Sequence, residues 1–149
     1  MKRGIRLILG GVALSGLQLT GCQVAEAMPE ADEPPSHVEH VDGTDISRVT
    51  LSEKAIERLD LQTGEVFEQT MSRSNSPKKC VPYSALIYDP EGRTWIYTSA
   101  GPRTFVRQEV VVDYVEGDIA VLASGPAVGV VVATVGVAEL YGTEFEVGH

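Results

Sequence analysis

Hydrophobic and polar positions follow three different rhythms along this chain. Ile5 to Leu19 is mostly apolar and carries no charge after Arg6. Gln23 to Asp45 is mostly polar, with four acidic residues between Glu26 and Glu33, then Pro34-Pro35, His37, His40 and Gly43. From Ile46 onward, short apolar runs return at regular intervals, separated by turn residues. The first rhythm predicts a targeting segment, the second a tether and the third a folded domain.

Within the third region, Arg48–Leu51 reads as a short strand, and Thr50 or Ser52 can cap a helix of about two turns. Thr50 and Glu53 have the spacing of a capping box. Ala55, Ile56 and Leu59 supply its apolar side, while Glu53, Lys54, Glu57 and Arg58 face water. Leu61–Phe67 predicts a strand, and the Ser-rich piece Glu68–Lys79 a loop. Val81–Tyr88 follows as one strand with Pro82 at its edge. Asp89-Pro90-Glu91-Gly92 is a turn, with proline where its fixed φ fits. Arg93–Ser99 alternates, with Trp95 and Tyr97 on one side and Thr94, Ile96 and Thr98 on the other. Thr104–Tyr114 is the longest strand. Glu116-Gly117-Asp118 turns into Ile119–Leu122, and Gly125-Pro126 with Gly129 forms a loop before Val130–Val135. The run Val128–Val132 predicts a central strand buried on both faces. Val137–Tyr141 adds a helical turn. The fold class expected is mainly β: a small antiparallel β-roll or barrel-like module with one short helix near its start.

The first rhythm changes the picture most. Lys2, Arg3 and Arg6 make a positive start, and the apolar stretch is shorter than the roughly 20 residues of a membrane span. It ends in Leu19-Thr20-Gly21-Cys22, which reads as a lipobox, where a bacterial precursor is cut and its new N-terminal cysteine acylated. Each buried CH₂ contributes about 0.8 kcal/mol, so the several acyl chains of a lipoprotein cysteine would hold the chain firmly to a bilayer. Cys22 is therefore the predicted lipidation site. The expected divisions are 1–21 signal peptide, 22–45 disordered or extended acidic tether, and 46–149 β domain. Localisation follows: the extracytoplasmic face of a bacterial envelope. Gln23 is not the aspartate associated with inner-membrane retention, so the outer membrane of a two-membrane cell is allowed.

Charge narrows the partners. The chain carries 12 Lys+Arg against 21 Asp+Glu, a net charge of −9. Loss of Lys2, Arg3 and Arg6 with the signal leaves nine basic residues and a charge of −12. Such a body does not bind nucleic acid or an anionic bilayer through its own charge. Its membrane contact is the lipid anchor.

Candidate chemistry is sparse. His37-Val38-Glu39-His40 places two imidazoles and a carboxylate close together, a weak candidate for a divalent ion. Zinc usually takes four preorganised ligands, and no fourth is evident. Met28 and Met71 are isolated. Cys80 sits after Lys78 and Lys79, which lower a thiol pKa, yet no adjacent base or acid makes it a nucleophile. With Cys22 acylated it has no cysteine to pair with, so it reads as a structural thiol. No nucleophile elbow, phosphate loop, dinucleotide fingerprint or paired acid/base is present. The expectation is a non-enzyme without a cofactor. Trp95, Tyr97, Phe105 and Tyr114 either form an aromatic binding face or, as such residues at strand spacing more often do, fill a core.

The order of segments resembles that of the periplasmic adaptor subunits (membrane fusion proteins) of efflux transporters. Val49-Thr50-Leu51-Ser52 with Ala55–Leu59 and Leu61-Gln62-Thr63 is similar to the family's first ordered segment. Val81-Pro82-Tyr83-Ser84-Ala85-Leu86-Ile87, Gly92–Tyr97, Phe105–Val112, Glu116-Gly117-Asp118 and Val130–Gly136 resemble its membrane-proximal part, ending in Ala138-Glu139-Leu140. Full adaptors carry a lipoyl-like domain and a long α-hairpin between these regions, whereas only Thr70–Lys79 intervenes here. The resemblance implies a truncated, lipid-anchored module that docks on a transporter permease but does not bridge two membranes. The alternative is a stand-alone envelope lipoprotein that binds a metal ion or small ligand.

Overall fold

A computed structural model describes residues 33–146. Cys22 and the lipobox lie outside the described residues. The described part is mainly β: an open, curled antiparallel sheet forming a half-barrel, with two short helices packed against it. The strands are β1 (Ser36–His40), β2 (Ser47–Leu51), β3 (Gln62–Glu65), β4 (Phe67–Thr70), β5 (Pro77–Pro82), β6 (Ile87–Tyr88), β7 (Thr94–Gly101), β8 (Thr104–Glu116), β9 (Ile119–Ser124) and β10 (Val131–Val135). Helix α1 spans Glu53–Leu59 and α2 spans Val137–Glu144.

The main sheet path runs β3-β10-β7-β8-β9-β5-β4. Its two outer positions belong to strands separated only by Val66, so the curl begins and ends on one extended piece of chain. Strand β8 makes the turn of the curl possible. Its 13 residues pair first with β7 and β2, then with β9. Register shifts at Val111/Val112 and Val112/Tyr114 interrupt the ladder with β9, and such bulges bend a strand and sharpen its twist.

Side chains from five strands converge inside the curl, among them Val81, Ile96, Val110, Ala120 and Val132, joined by Val66 from between β3 and β4. The opposite face of β7, β8 and β10 carries Tyr97, Phe105 and Ala133. These pack with Val49 and Leu51 of β2, Ala55 of α1, and Val137 and Leu140 of α2. Thus the alternation along β7 is as expected, but both faces are buried: Ile96 enters one core and Tyr97 the other. Each fully buried aliphatic side chain contributes about 1.5–3 kcal/mol. A third cluster joins Met71, Cys80 and Val121 to Phe67, Tyr114 and Ile119.

Several expectations are corrected. Order does not begin at Ile46: Ser36–His40, placed in the tether, pairs in full register with β2, from Ser36↔Leu51 to His40↔Ser47. A polar strand can be held this way because backbone hydrogen bonds, rather than buried side chains, fix it. Half of Glu68–Lys79 is also not loop. Phe67–Thr70 and Pro77–Lys79 form a hairpin around a connection at 71–76. Val81–Tyr88 is interrupted by a 3₁₀ turn at Tyr83–Ala85, since Pro82 has no N–H to continue the ladder. Strand β10 is interior to the sheet, between β3 and β7, as expected of a central strand. However, Val128 and Val131 are exposed, and burial falls on Val132 and Ala133. The capping box is replaced by a single cap. Ser52 Oγ accepts from Ala55 N–H at 3.2 Å, while Thr50 stays in β2 and its hydroxyl meets that of Thr104 at 3.1 Å.

Candidate functional site

Arg107 is the one charged side chain on the helix-facing side of β8 that is buried, two residues beyond Phe105. Its Nε–H donates to Glu144 Oε1 at 2.9 Å, and its Nη2 donates to the Asp45 carbonyl at 2.6 Å. The Arg107 and Glu144 side chains are 2% and 1% exposed, so this is a buried ion pair. Glu144 is supplied by the last turn of α2. It also accepts from Ser47 N–H at 2.9 Å and from Tyr97 Oη–H at 2.6 Å. Burial, reinforced by the Glu144 carboxylate, pushes the Tyr97 hydroxyl pKa far up, so Tyr97 stays a donor.

A second carboxylate, Asp89, works beside it. Asp89 opens the Asp89–Gly92 turn, in which Gly92 N–H donates to Asp89 carbonyl at 3.0 Å. Its Oδ1 accepts from Arg93 N–H at 2.8 Å, and its Oδ2 accepts from Arg93 Nε at 2.7 Å and Trp95 Nε1 at 2.9 Å. Burial raises the Asp89 pKa, but the bonds from Trp95 and Arg93, with the Arg93 charge, outweigh it and hold the carboxyl below its ordinary value.

The two networks meet on Trp95. The Arg93 guanidinium lies 5.1 Å and the Arg107 guanidinium 4.3 Å from its ring. Arg107 is also 5.0 Å from the Phe145 ring, which stands 4.7 Å from Tyr141. Cations and aromatic rings therefore alternate from Arg93 through Trp95 and Arg107 to Phe145. Each such contact contributes about 0.5–2 kcal/mol, more when desolvated. The cluster walls a cavity of about 340 Å³ whose rim includes Asp45, Glu91 and Phe145. A larger groove of about 560 Å³ lies between α1 and α2, floored by Leu51, Ala55 and Leu59, with Arg58 and Glu139 among its lining residues.

The candidates read from the sequence are distributed elsewhere. His37 and Glu39 share one side of β1 and His40 takes the other, because successive strand residues alternate. Glu39 is engaged by Arg48 at 3.1 Å. Among the described residues no group of three His, Cys, Asp or Glu is arranged to hold a metal ion. Cys80 is fully buried, and burial raises its thiol pKa rather than the lysines lowering it. Its Sγ donates to Lys78 carbonyl at 3.2 Å. Trp95, Tyr97 and Phe105 are core residues on the helix side, while Tyr114 belongs to the third cluster, so the four form no common face. Of the groups that do assemble, Arg107, Glu144, Asp89 and Arg93, only Asp89 was singled out, and then as the first residue of a turn rather than as a site residue. The available signal was Arg107 two residues after Phe105, on the inward side of the strand.

Comparison with known protein families, curated proteins and solved structures finds no match for this chain.

Proposed function

We propose that this chain is a lipid-anchored, non-enzymatic envelope protein whose β module docks on the extracytoplasmic part of a membrane transporter, in the manner of the membrane-proximal part of an efflux adaptor. Cys22 holds it to the bilayer, and the segment after it sets its reach. The observation that carries this reading is how the molecule uses its buried charge. Arg107, Glu144, Asp89 and Tyr97 are all engaged with one another or with the backbone, and their bonds fix α2 and the Asp89 turn to the sheet. This is positional work. Exposed Tyr83, Tyr88, Val111, Val115 and Val131 meanwhile leave apolar surface on the strands and turns for contact with a partner.

Mild-detergent purification from membranes of the source cell tests it. The expected result is one transporter polypeptide retained in stable proportion, with Cys22→Ala giving an unprocessed or soluble protein that no longer fractionates with membranes. A protein that elutes alone, or that stays processed and membrane-bound as Cys22→Ala, would overturn the reading. Tight Zn²⁺ binding abolished by His37→Ala and His40→Ala would favour the stand-alone metal-binding lipoprotein instead.

A further inference from the structure

We propose that the outer edge of β1 is a self-pairing surface, which joins two copies of this chain by antiparallel β1–β1 contact about a two-fold axis at Val38. The backbone argument comes first. Among the described residues β1 is an edge strand: it pairs with β2 alone, and β2 pairs on its far side with β8. Ser52 N–H donates to the Pro35 carbonyl at 2.9 Å, and Val41 N–H donates to the Ile46 carbonyl at 3.0 Å. Both pairs continue the register of Ser36↔Leu51, and bonded pairs alternate with unbonded ones in an antiparallel ladder. His37 and Glu39 therefore turn their backbone groups toward β2, while Ser36, Val38 and His40 turn theirs outward. Their N–H and C=O groups form one row, which is the template another strand needs.

The side chains of β1 select the strand that fits. Ser36-His37-Val38-Glu39-His40, paired with itself and centred on Val38, sets Val38 opposite its symmetry mate and Ser36 opposite the second copy's His40. These pairs exchange the outward N–H and C=O groups. His37 then falls opposite the second copy's Glu39, as an unbonded pair, the kind whose side chains approach closest. Both side chains are exposed and lie on one side of the strand. Glu39 already accepts from Arg48 at 3.1 Å on its other flank. Across the joined sheet Arg48, Glu39 and the second copy's His37 make a row of donor, acceptor and donor, repeated by symmetry. Sliding the register by two residues sets Glu39 against Glu39 or His37 against His37, so charge selects the centred register. Local complementarity of this kind is required, because two chains of net charge −9 repel each other. Five residues a side bury far less than the roughly 1,200 Å² of a stable complex, so the contact is transient. The inference does not rest on the docking reading above.

Disulfide trapping of the full chain in intact cells tests this, since opposed residues of such a ladder stand about 4.5–5.5 Å apart between Cα atoms, within disulfide reach. Val38→Cys should give a disulfide-linked dimer on mild oxidation. Co-expressed His37→Cys and Glu39→Cys chains, altered only at exposed positions, should link to each other at least about threefold faster than either links to itself. Two changes added to Val38→Cys separate strand pairing from random collision. His37→Glu sets carboxylates face to face at both symmetric pairs and should cut the dimer about tenfold, whereas His37→Lys should keep it. His40→Pro removes one outward N–H, leaves the ladder with β2 intact and should cut the dimer by about threefold or more. The unaltered chain should give no dimer, nor should Val115→Cys, which is exposed toward the far end of β8. A Val38→Cys chain that forms no dimer, or one whose yield is unchanged by His37→Glu and His40→Pro, overturns the proposal. So does an equal yield from Val115→Cys. A Val38→Cys link to a different polypeptide also overturns it, and assigns the edge to that partner instead.

Discussion

Burying a guanidinium beside a carboxylate costs several kcal/mol per ion in lost hydration, and the pair recovers this only when its remaining donors and lone pairs are used. Glu144 meets that condition with three donors, from Arg107, Tyr97 and the Ser47 backbone. Arg107 adds a backbone carbonyl and two aromatic faces. Removing one member should therefore be far worse than removing the pair. Arg107→Met is expected to cost about 3–5 kcal/mol, because it leaves Glu144 charged and buried. The double variant Arg107→Met/Glu144→Leu should cost less than the sum of its singles by at least about 1 kcal/mol, measured by denaturant unfolding. Additive losses would mean that the two side chains contribute independently, through packing alone.

The position of α2 depends on Gly136 as much as on Glu144. Gly136 has φ +81° and precedes the helix without any side-chain cap. A Cβ there would stand 2.8 Å from Leu61 Cδ1 and 3.6 Å from Leu61 Cα, in a backbone conformation that disfavours L side chains by about 1–2 kcal/mol. Gly136→Ala should lower the thermal midpoint by about 5–10 °C, since strain and crowding add in a domain of this size. An unchanged midpoint would show that the α2 connection is free to relax. Elements of this kind were largely legible in the chain. Ser52 announced α1, Asp89-Pro90-Glu91-Gly92 announced its turn, and the alternation around Trp95 and Phe105 announced β7 and β8. What escaped was held by partners remote in sequence. Strand β1 has almost no apolar signal of its own and exists through its ladder with β2. The pairing of Arg107 with Glu144 joins residues 37 positions apart, which no local spacing encodes. The same holds for the split of His37 and His40 across β1, visible only once that segment is known to be a strand.

At the scale of the whole molecule, two electrostatic effects predict opposite responses to acid. A net charge of −9 repels itself, so protonating carboxylates should on this ground alone favour the compact state. Specific carboxylates oppose it. Asp89 is held below its ordinary pKa despite burial, by Trp95 and Arg93. Glu116 is held low by hydrogen bonds from the Ser72 hydroxyl at 2.6 Å and the Ser72 N–H at 3.2 Å, which tie the 71–76 connection to the end of β8. A group whose folded pKa lies below its unfolded value, about 4 for these residues, contributes stability that is complete above that value and lost as pH falls through the folded one. Below pH 4 the diffuse repulsion has largely been titrated away, whereas these two sites are still giving up their bonds, so the specific effect should win. Unfolding free energy from urea titrations is therefore expected to fall steadily between about pH 4 and pH 2. Asp89→Asn and Glu116→Gln should each lower stability at pH 7 and flatten that acid limb, with the double variant flattest. Stability that rises through the same interval, or an acid limb unchanged by both substitutions, would show that diffuse charge governs the fold and that the Asp89 and Ser72–Glu116 contacts contribute little.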